Sequence, residues 1–221
     1  MSEIIPSILT NDLGDFKKKL ETLKEFTKTI QIDIMDGKFV NNTSFDLKIE
    51  NHDLNQYLNT NLNTDTKLEL HLMVNHPIDY IEKWEGAKNI SRIIFHIESN
   101  DNPNEVIEKI KGLNLEIGIA INPETSIEKL EPYLDKIDLV LFMSVVPGKQ
   151  GGKFLPEISK KIKEFKNKKL NKKLLLANDG GVNEKTIEEI KTWGIDIIGV
   201  GSAIIKTDNP KGSYQKLLKL I

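Results

Sequence analysis

The chain has 221 residues, 38% hydrophobic and 29% charged, with a formal net charge of -2, a balance that suits one globular domain spanning residues 1–221. It contains no cysteine, which excludes disulfides, thiolate catalysis and Cys-based zinc sites. There is no long basic run, no apolar run near ~18 residues and no charged leader before the first strand-like segment, so nucleic acid and membranes are not expected partners and the cytoplasm is the expected address.

Short apolar runs alternate with amphipathic stretches from end to end. Ile4 to Leu9 reads as a first strand, followed by a helix with Leu13, Phe16, Leu20 and Leu23 at helical spacing and Asn11 or Asp12 as its N-cap. Ile30 to Met35 is a second strand. The polar segment from Lys38 to Asp65 reads as a long loop with one helix around 47–59. Lys67 to Val74 is the third strand, and Pro77, Tyr80, Ile81 and Trp84 mark the next helix. Arg92 to Ile97, Leu115 to Ile121 and Ile137 to Met143 are strands four, five and six. A helix with Val106, Ile107 and Ile110 separates the first two, and a short helix after Pro123 the last two. A glycine-rich loop leads to a helix carrying Ile158, Ile162 and Phe165. Lys173 to Ala177 is the seventh strand; a helix capped by Asn183 then carries Ile187, Ile190 and Trp193 and closes at Gly194. Ile195 to Val200 is the eighth, and Tyr214, Leu217 and Leu218 lie on a last helix.

Eight strand-helix units of roughly 25 residues are what a (β/α)8 TIM barrel needs, and strands apolar on both faces suit a parallel sheet covered by helices. A doubly wound open sheet is the alternative. In such barrels the site lies at the C-terminal ends of the strands. Ser7, Asp33, His71, His96, Asn122, Ser144, Asp179 and Ser202 all fall late in their strands or just beyond. A carboxylate such as Asp33 within an apolar strand costs several kcal/mol unless something pairs with it. Taken singly, His71 also reads as a satisfied core histidine, Ser7 as a strand-end cap and His96 as structural, while His52 and His76 read as loop residues. Glycine turns follow strands six, seven and eight, at Gly148 to Gly152, at Gly180 and Gly181, and at Gly201 with Ser202. Such turns let backbone N–H groups approach an anion, and three at consecutive strand ends favour a phosphorylated ligand.

With these segments in place, the chain resembles the ribulose-phosphate 3-epimerase family over nearly its whole length. The matching motifs are Pro6-Ser7-Ile8-Leu9, Asp33-Ile34-Met35-Asp36-Gly37-Lys38-Phe39-Val40, His71-Leu72-Met73-Val74, Asn122-Pro123-Glu124-Thr125, Met143-Ser144-Val145, Asp179-Gly180-Gly181-Val182 and Gly201-Ser202-Ala203-Ile204. The resemblance implies a (β/α)8 fold and epimerisation at carbon 3 of a ketopentose 5-phosphate, with ribulose 5-phosphate and xylulose 5-phosphate the default pair in the pentose phosphate pathway. It implies Asp33 and Asp179 as the acid and base, since inverting a carbon beside a carbonyl removes a proton from one face and returns one to the other. It implies a divalent metal (zinc, iron, manganese or cobalt) as Lewis acid, held by Asp33, His71 and Asp179 with Gln31 in the fourth position. Gly148, Gln150, Gly151, Gly152, Gly180, Gly181, Gly201 and Ser202 would hold the phosphate. Ser7, Met35, Met73 and Met143 would line the substrate, although the methionines read alone are core fillers. Barrels of this type commonly assemble as dimers or hexamers, so a homo-oligomer is expected.

Two departures matter. The family has a histidine ligand where this chain has Gln31, and a glutamine carbonyl is a weak neutral oxygen donor that favours harder ions such as manganese or magnesium. A metal-free site, with the Gln31 amide hydrogen-bonding Asp33 or the substrate, is the alternative. The loop after strand six reads Gly148-Lys149-Gln150-Gly151-Gly152 where the family usually has Gly-Phe-Gly-Gly-Gln, and Val146 replaces a usual Asn or Glu. These changes keep two other readings open: a relative acting on a six-carbon ketose phosphate such as allulose 6-phosphate, and a barrel that binds a sugar phosphate without turning it over.

Overall fold

Alternation of side chains across each strand decides which residues meet in this molecule. A computed structural model describes residues 2–48, 51–63, 65–148, 152–168, 170 and 172–221; Lys149, Gln150 and Gly151 lie outside the described residues. The strands are β1 (Glu3–Ile8), β2 (Thr29–Met35), β3 (Lys67–Met73), β4 (Ile90–His96), β5 (Glu116–Ile121), β6 (Leu139–Met143), β7 (Leu175–Asp179) and β8 (Ile197–Val200). The helices are α1 (Leu13–Lys24), α2 (Asn51–Asn61), α3 (Pro77–Trp84), α4 (Pro103–Gly112), α5 (Ile158–Lys166), α6 (Ile187–Thr192), α7 (Ser202–Ile205) and α8 (Pro210–Leu218). The strands close in sequence order into a parallel barrel. Because β1 also pairs with β8, the open-sheet alternative falls and the (β/α)8 barrel stands.

On β2 and β3 the register sets Gln31 beside Glu69, Asp33 beside His71 and Met35 beside Met73. These residues point into the barrel. Their neighbours Ile30, Ile32, Ile34, Leu68, Leu70 and Leu72 point outward and are fully buried against the helical layer, with Phe16, Leu20 and Leu23 of α1 in the same cluster. Each such side chain contributes about 1.5–3 kcal/mol by leaving water. Inside the barrel a smaller apolar cluster of Ile5, Ile94, Leu139, Leu141 and Ile197 fills the lower layers, so the barrel is a packed core with one polar end. Asp12 supplies the cap of α1, accepting from Asp15 N at 2.7 Å.

Several sequence expectations shift. The ladder of β7 runs on through Asn178 and Asp179, which pair with Phe142 and Met143, although the apolar pattern ends at Ala177. The segment after Pro123 is a 3-10 helix, Ile127–Tyr133; Pro132 within it has no N–H to donate, so an α-helical ladder cannot pass through. Residues 45–48 form a 3-10 turn ahead of α2, while residues 49 and 50 lie outside the described residues. His52 falls within α2 rather than in a loop. Asn183 does not cap α6, whose N-cap is Thr186; its side chain instead accepts from Lys185 N at 2.9 Å and closes the turn before it. Gly194, at φ 62, does end that helix. Among the described residues no helix is long and apolar enough to cross a membrane.

Candidate active site

At the C-terminal mouth β2, β3 and β7 bring Asp33, His71 and Asp179 together, with ligand-type atoms all within 4.8 Å of one another. His71 Nδ1 lies 3.2 Å from Asp33 Oδ1 and 3.4 Å from Asp179 Oδ2. From one inward position lower on β2, Gln31 Nε2 donates to Asp33 Oδ1 at 2.8 Å and to Asp179 Oδ2 at 3.2 Å, and sits 3.4 Å from His71 Nδ1. Gln31, Asp33 and His71 are buried. Among the described residues no Lys or Arg pairs with either aspartate.

That arrangement splits the two acids. Burial pushes the Asp33 carboxyl up, and the Asp179 charge beside it adds to the shift. For Asp179 burial acts in the same sense, but the hydrogen bond and charge of His71, with the Gln31 amide, overcome it and hold the group below the usual carboxylate range. Burial alone would lower His71; hydrogen bonds and charge from Asp179 and Asp33 raise it instead, to about 9. Two neighbouring carboxyls driven apart in this way can serve as an acid and a base in one step.

The donor set also fits a divalent ion. An ion ~2.1 Å from four tetrahedral ligand atoms spaces them by about 3.4 Å. The five separations that link Gln31 Nε2 and His71 Nδ1 to each other and to Asp33 Oδ1 and Asp179 Oδ2 run from 2.8 to 3.4 Å. The Gln31 head group therefore stands at a corner of the site, and half a turn of its amide would set Oε1 where Nε2 now lies.

Around this core, a cavity of about 210 Å³ is lined by Ser7, Met35, Met73 and Met143, and by Gly148, Gly152, Gly180, Gly181, Gly201 and Ser202. All the described residues expected to line the substrate or hold a phosphate thus reach one space, and Gln150 and Gly151 lie outside the described residues. Gly180 has φ 115, and a Cβ there would come within 2.5 Å of Val145 Cγ2; only glycine lets the turn after β7 pass so close beneath β6.

Residues that fall at the strand ends, with no role in the chemistry expected of them, support the site, and Glu98 joins them. His96 on β4, read as structural, puts Nε2 2.9 Å from His71 Nε2. Glu98 follows, with Oε2 3.3 Å from His96 Nδ1. Burial lowers His96, whereas Glu98 is lowered against the effect of burial by hydrogen bonds from His96, Thr125 and Asn122 N. Ser144 Oγ donates to Gly180 O at 2.7 Å, and Ser144 N to Asp179 O at 2.8 Å, which fixes the backbone that carries Asp179. The spacing of His96 and Glu98 puts both on one side of a strand end and is a local signal for that contact; the contacts between strands leave none in the chain.

Compared with known proteins, the chain matches the ribulose-phosphate 3 epimerase family over residues 3–205. It is 34% identical over 213 residues to the ribulose-phosphate 3-epimerase of Chlamydia muridarum, covering 93% of this chain and 89% of that one. To the enzyme of the same name from Helicobacter pylori it is 33% identical over 218 residues, covering 97% and 96%. Among solved structures, 3-hexulose-6-phosphate synthase from Salmonella typhimurium superposes with a TM-score of 0.73 over 99% of this chain and 97% of that one. At 12% identity that likeness speaks to the fold alone.

Proposed function

This chain belongs to the ribulose-phosphate 3-epimerase family and is an isomerase, and we propose that it inverts carbon 3 of a ketopentose 5-phosphate, interconverting D-ribulose 5-phosphate and D-xylulose 5-phosphate in the pentose phosphate pathway. The observation that carries this reading is the pair Asp33 and Asp179, which enter one cavity from β2 and β7 with their protonation driven in opposite directions. One carboxylate takes the proton from carbon 3, and the C–H pair moves into a C2–C3 double bond as the carbonyl becomes an enediolate oxygen. The other, protonated, returns a proton to the opposite face while the pair flows back and the carbonyl re-forms. Working the reaction in reverse exchanges the two roles.

The residues that would hold a divalent ion are Asp33, His71 and Asp179, with Gln31 as fourth ligand through Oε1. When bound, the ion supplies Lewis acidity that polarises the ketose carbonyl and stabilises the enediolate. Of zinc, iron, manganese and cobalt, a set of three oxygens and one nitrogen favours manganese. Gly180, Gly181, Gly201 and Ser202, with Gly148 and Gly152, would cradle the phosphate through backbone N–H groups. Met35, Met73 and Met143 keep the reacting carbon away from water. We place the activity in the cytoplasm and in a homo-oligomer, the common state of barrels of this type.

Turnover of ribulose 5-phosphate by chelator-stripped protein, with manganese, zinc or iron then added back, tests this. The reading predicts xylulose 5-phosphate, formed faster with manganese than without. Turnover of allulose 6-phosphate in preference would correct the substrate length, and binding of either sugar phosphate without turnover would overturn the enzymatic reading.

A further inference from the structure

From His71 a chain of hydrogen bonds runs to the end of β4 and just beyond it, and its members have little freedom. His71 and His96, both fully buried, face each other through Nε2 atoms 2.9 Å apart, a contact that holds a single proton. His96 Nδ1 faces Glu98 Oε2 at 3.3 Å, and the other oxygen of Glu98 accepts from Asn122 N at 2.9 Å. The Phe39 ring covers the imidazole of His96 and offers it no partner. An ionised carboxylate only accepts, so the proton of a neutral His96 belongs on Nδ1. Its Nε2 is then bare and must accept from His71 Nε2. His71 Nε2 thus keeps its proton, and the proton that His71 gives up on binding an ion is the one on Nδ1, which faces Asp33 and Asp179. The reverse arrangement would set a bare Nδ1 of His96 against a carboxylate oxygen.

We propose that Glu98 is a positioning residue for the site: acting through His96, it selects the His71 tautomer whose Nδ1 can ligate a divalent ion. The inference rests on the metal-assisted reading above. It extends a known physical pattern, in which a ligating histidine has its other nitrogen fixed by a partner behind it, to a histidine-glutamate pair that touches neither substrate nor ion.

Long-range proton–nitrogen NMR spectra of metal-free wild-type protein with 15N-labelled histidine read the tautomer directly. The expected result is a neutral His96 protonated on Nδ1; a His96 protonated on Nε2 would overturn the inference. Calorimetric titration with zinc of wild type and Glu98→Gln gives the second readout. Glu98→Gln should bind zinc about 10–100-fold more weakly. A Glu98→Gln protein that melts earlier but keeps the wild-type zinc affinity would mean a merely structural role, and would also overturn it. The NMR measurement needs no variant, so it decides the matter even where Glu98→Gln fails to fold. A wild-type protein that takes up neither zinc nor manganese would sink the metal-assisted reading and this inference together, whereas ion uptake with the wrong His96 tautomer sinks the inference alone.

Discussion

The two ends of the barrel interior bury acids in opposite ways. At the N-terminal end Glu69, on the same inward face of β3 as His71, is 2% exposed and pairs with Arg92 Nη1. Arg92 reaches Glu116 Oε2 as well, through Nε at 2.9 Å and Nη2 at 2.5 Å. A guanidinium is always charged and its rigid fork meets both carboxylates, so the buried Glu69 is answered for good by a fixed cation. At the C-terminal end Asp33 and Asp179 face an imidazole and an amide, and among the described residues no fixed cation answers them. A buried acid answered by arginine is architecture, whereas a buried acid pair answered only by a titratable imidazole depends on a movable proton or an ion.

The largest expected effect falls on the open end. Asp33→Asn and Asp179→Asn should each lower kcat by about 10²–10⁴-fold, while thermal melts separate the two. Asp33→Asn removes the acid that burial disfavours and leaves stability unchanged or raised, whereas Asp179→Asn removes the partner that His71 favours and lowers it. A variant that keeps its activity would remove that residue from the chemistry. The closed end should behave the other way. Arg92→Met strands Glu69 in the barrel and should cost about 3–5 kcal/mol in denaturant melts, with the kcat of the folded fraction preserved. Loss of kcat without loss of stability would show that the floor takes part in the reaction.

A third contrast is in pH. His71 of the metal-free protein titrates at about 9, above the ~6.5 of an unfolded histidine. The folded state therefore binds this proton more tightly. The stability it contributes is fully present below ~6.5 and is lost as pH rises through about 9, on the order of 3 kcal/mol in all. Urea melts of chelated protein at pH 6, 7.5 and 9 measure it; a flat profile contradicts it. The smallest effect concerns Gln31. Gln31→His should tighten zinc relative to manganese by on the order of tenfold, about 1.4 kcal/mol, read by competition calorimetry. An unchanged ratio would mean that residue 31 does not reach the ion.

How far the sequence reveals all this follows from which facts are local. Alternation on β2 and β3 makes the barrel legible, because Ile30, Ile32 and Ile34 need a helical layer while Gln31 and Asp33 need an interior. The family motifs carry Asp33, His71 and Asp179 into one site. What the sequence hides is register and approach. Gln31 meets Asp179 across 148 positions of chain, and Arg92 meets Glu69 only because β3 and β4 pair with a shift between Leu68 and Glu69. His96 reads as structural because its partner His71 stands 25 residues away, and the spacing of Glu98 behind it gains meaning only once that pair is seen. Strand ends such as Asn178 and Asp179 are obscured for a related reason: backbone pairing, not apolarity, decides where a ladder stops.

Turnover of ribulose 5-phosphate in deuterium oxide, followed by NMR at carbon 3 during the first turnovers, tests the two-acid chemistry most directly. With Asp33 and Asp179 acting on opposite faces, the xylulose 5-phosphate formed carries solvent deuterium while the ribulose 5-phosphate still unreacted keeps its hydrogen. Product that retains the original hydrogen, or deuterium arriving equally in substrate and product from the start, would mean that one group serves both faces.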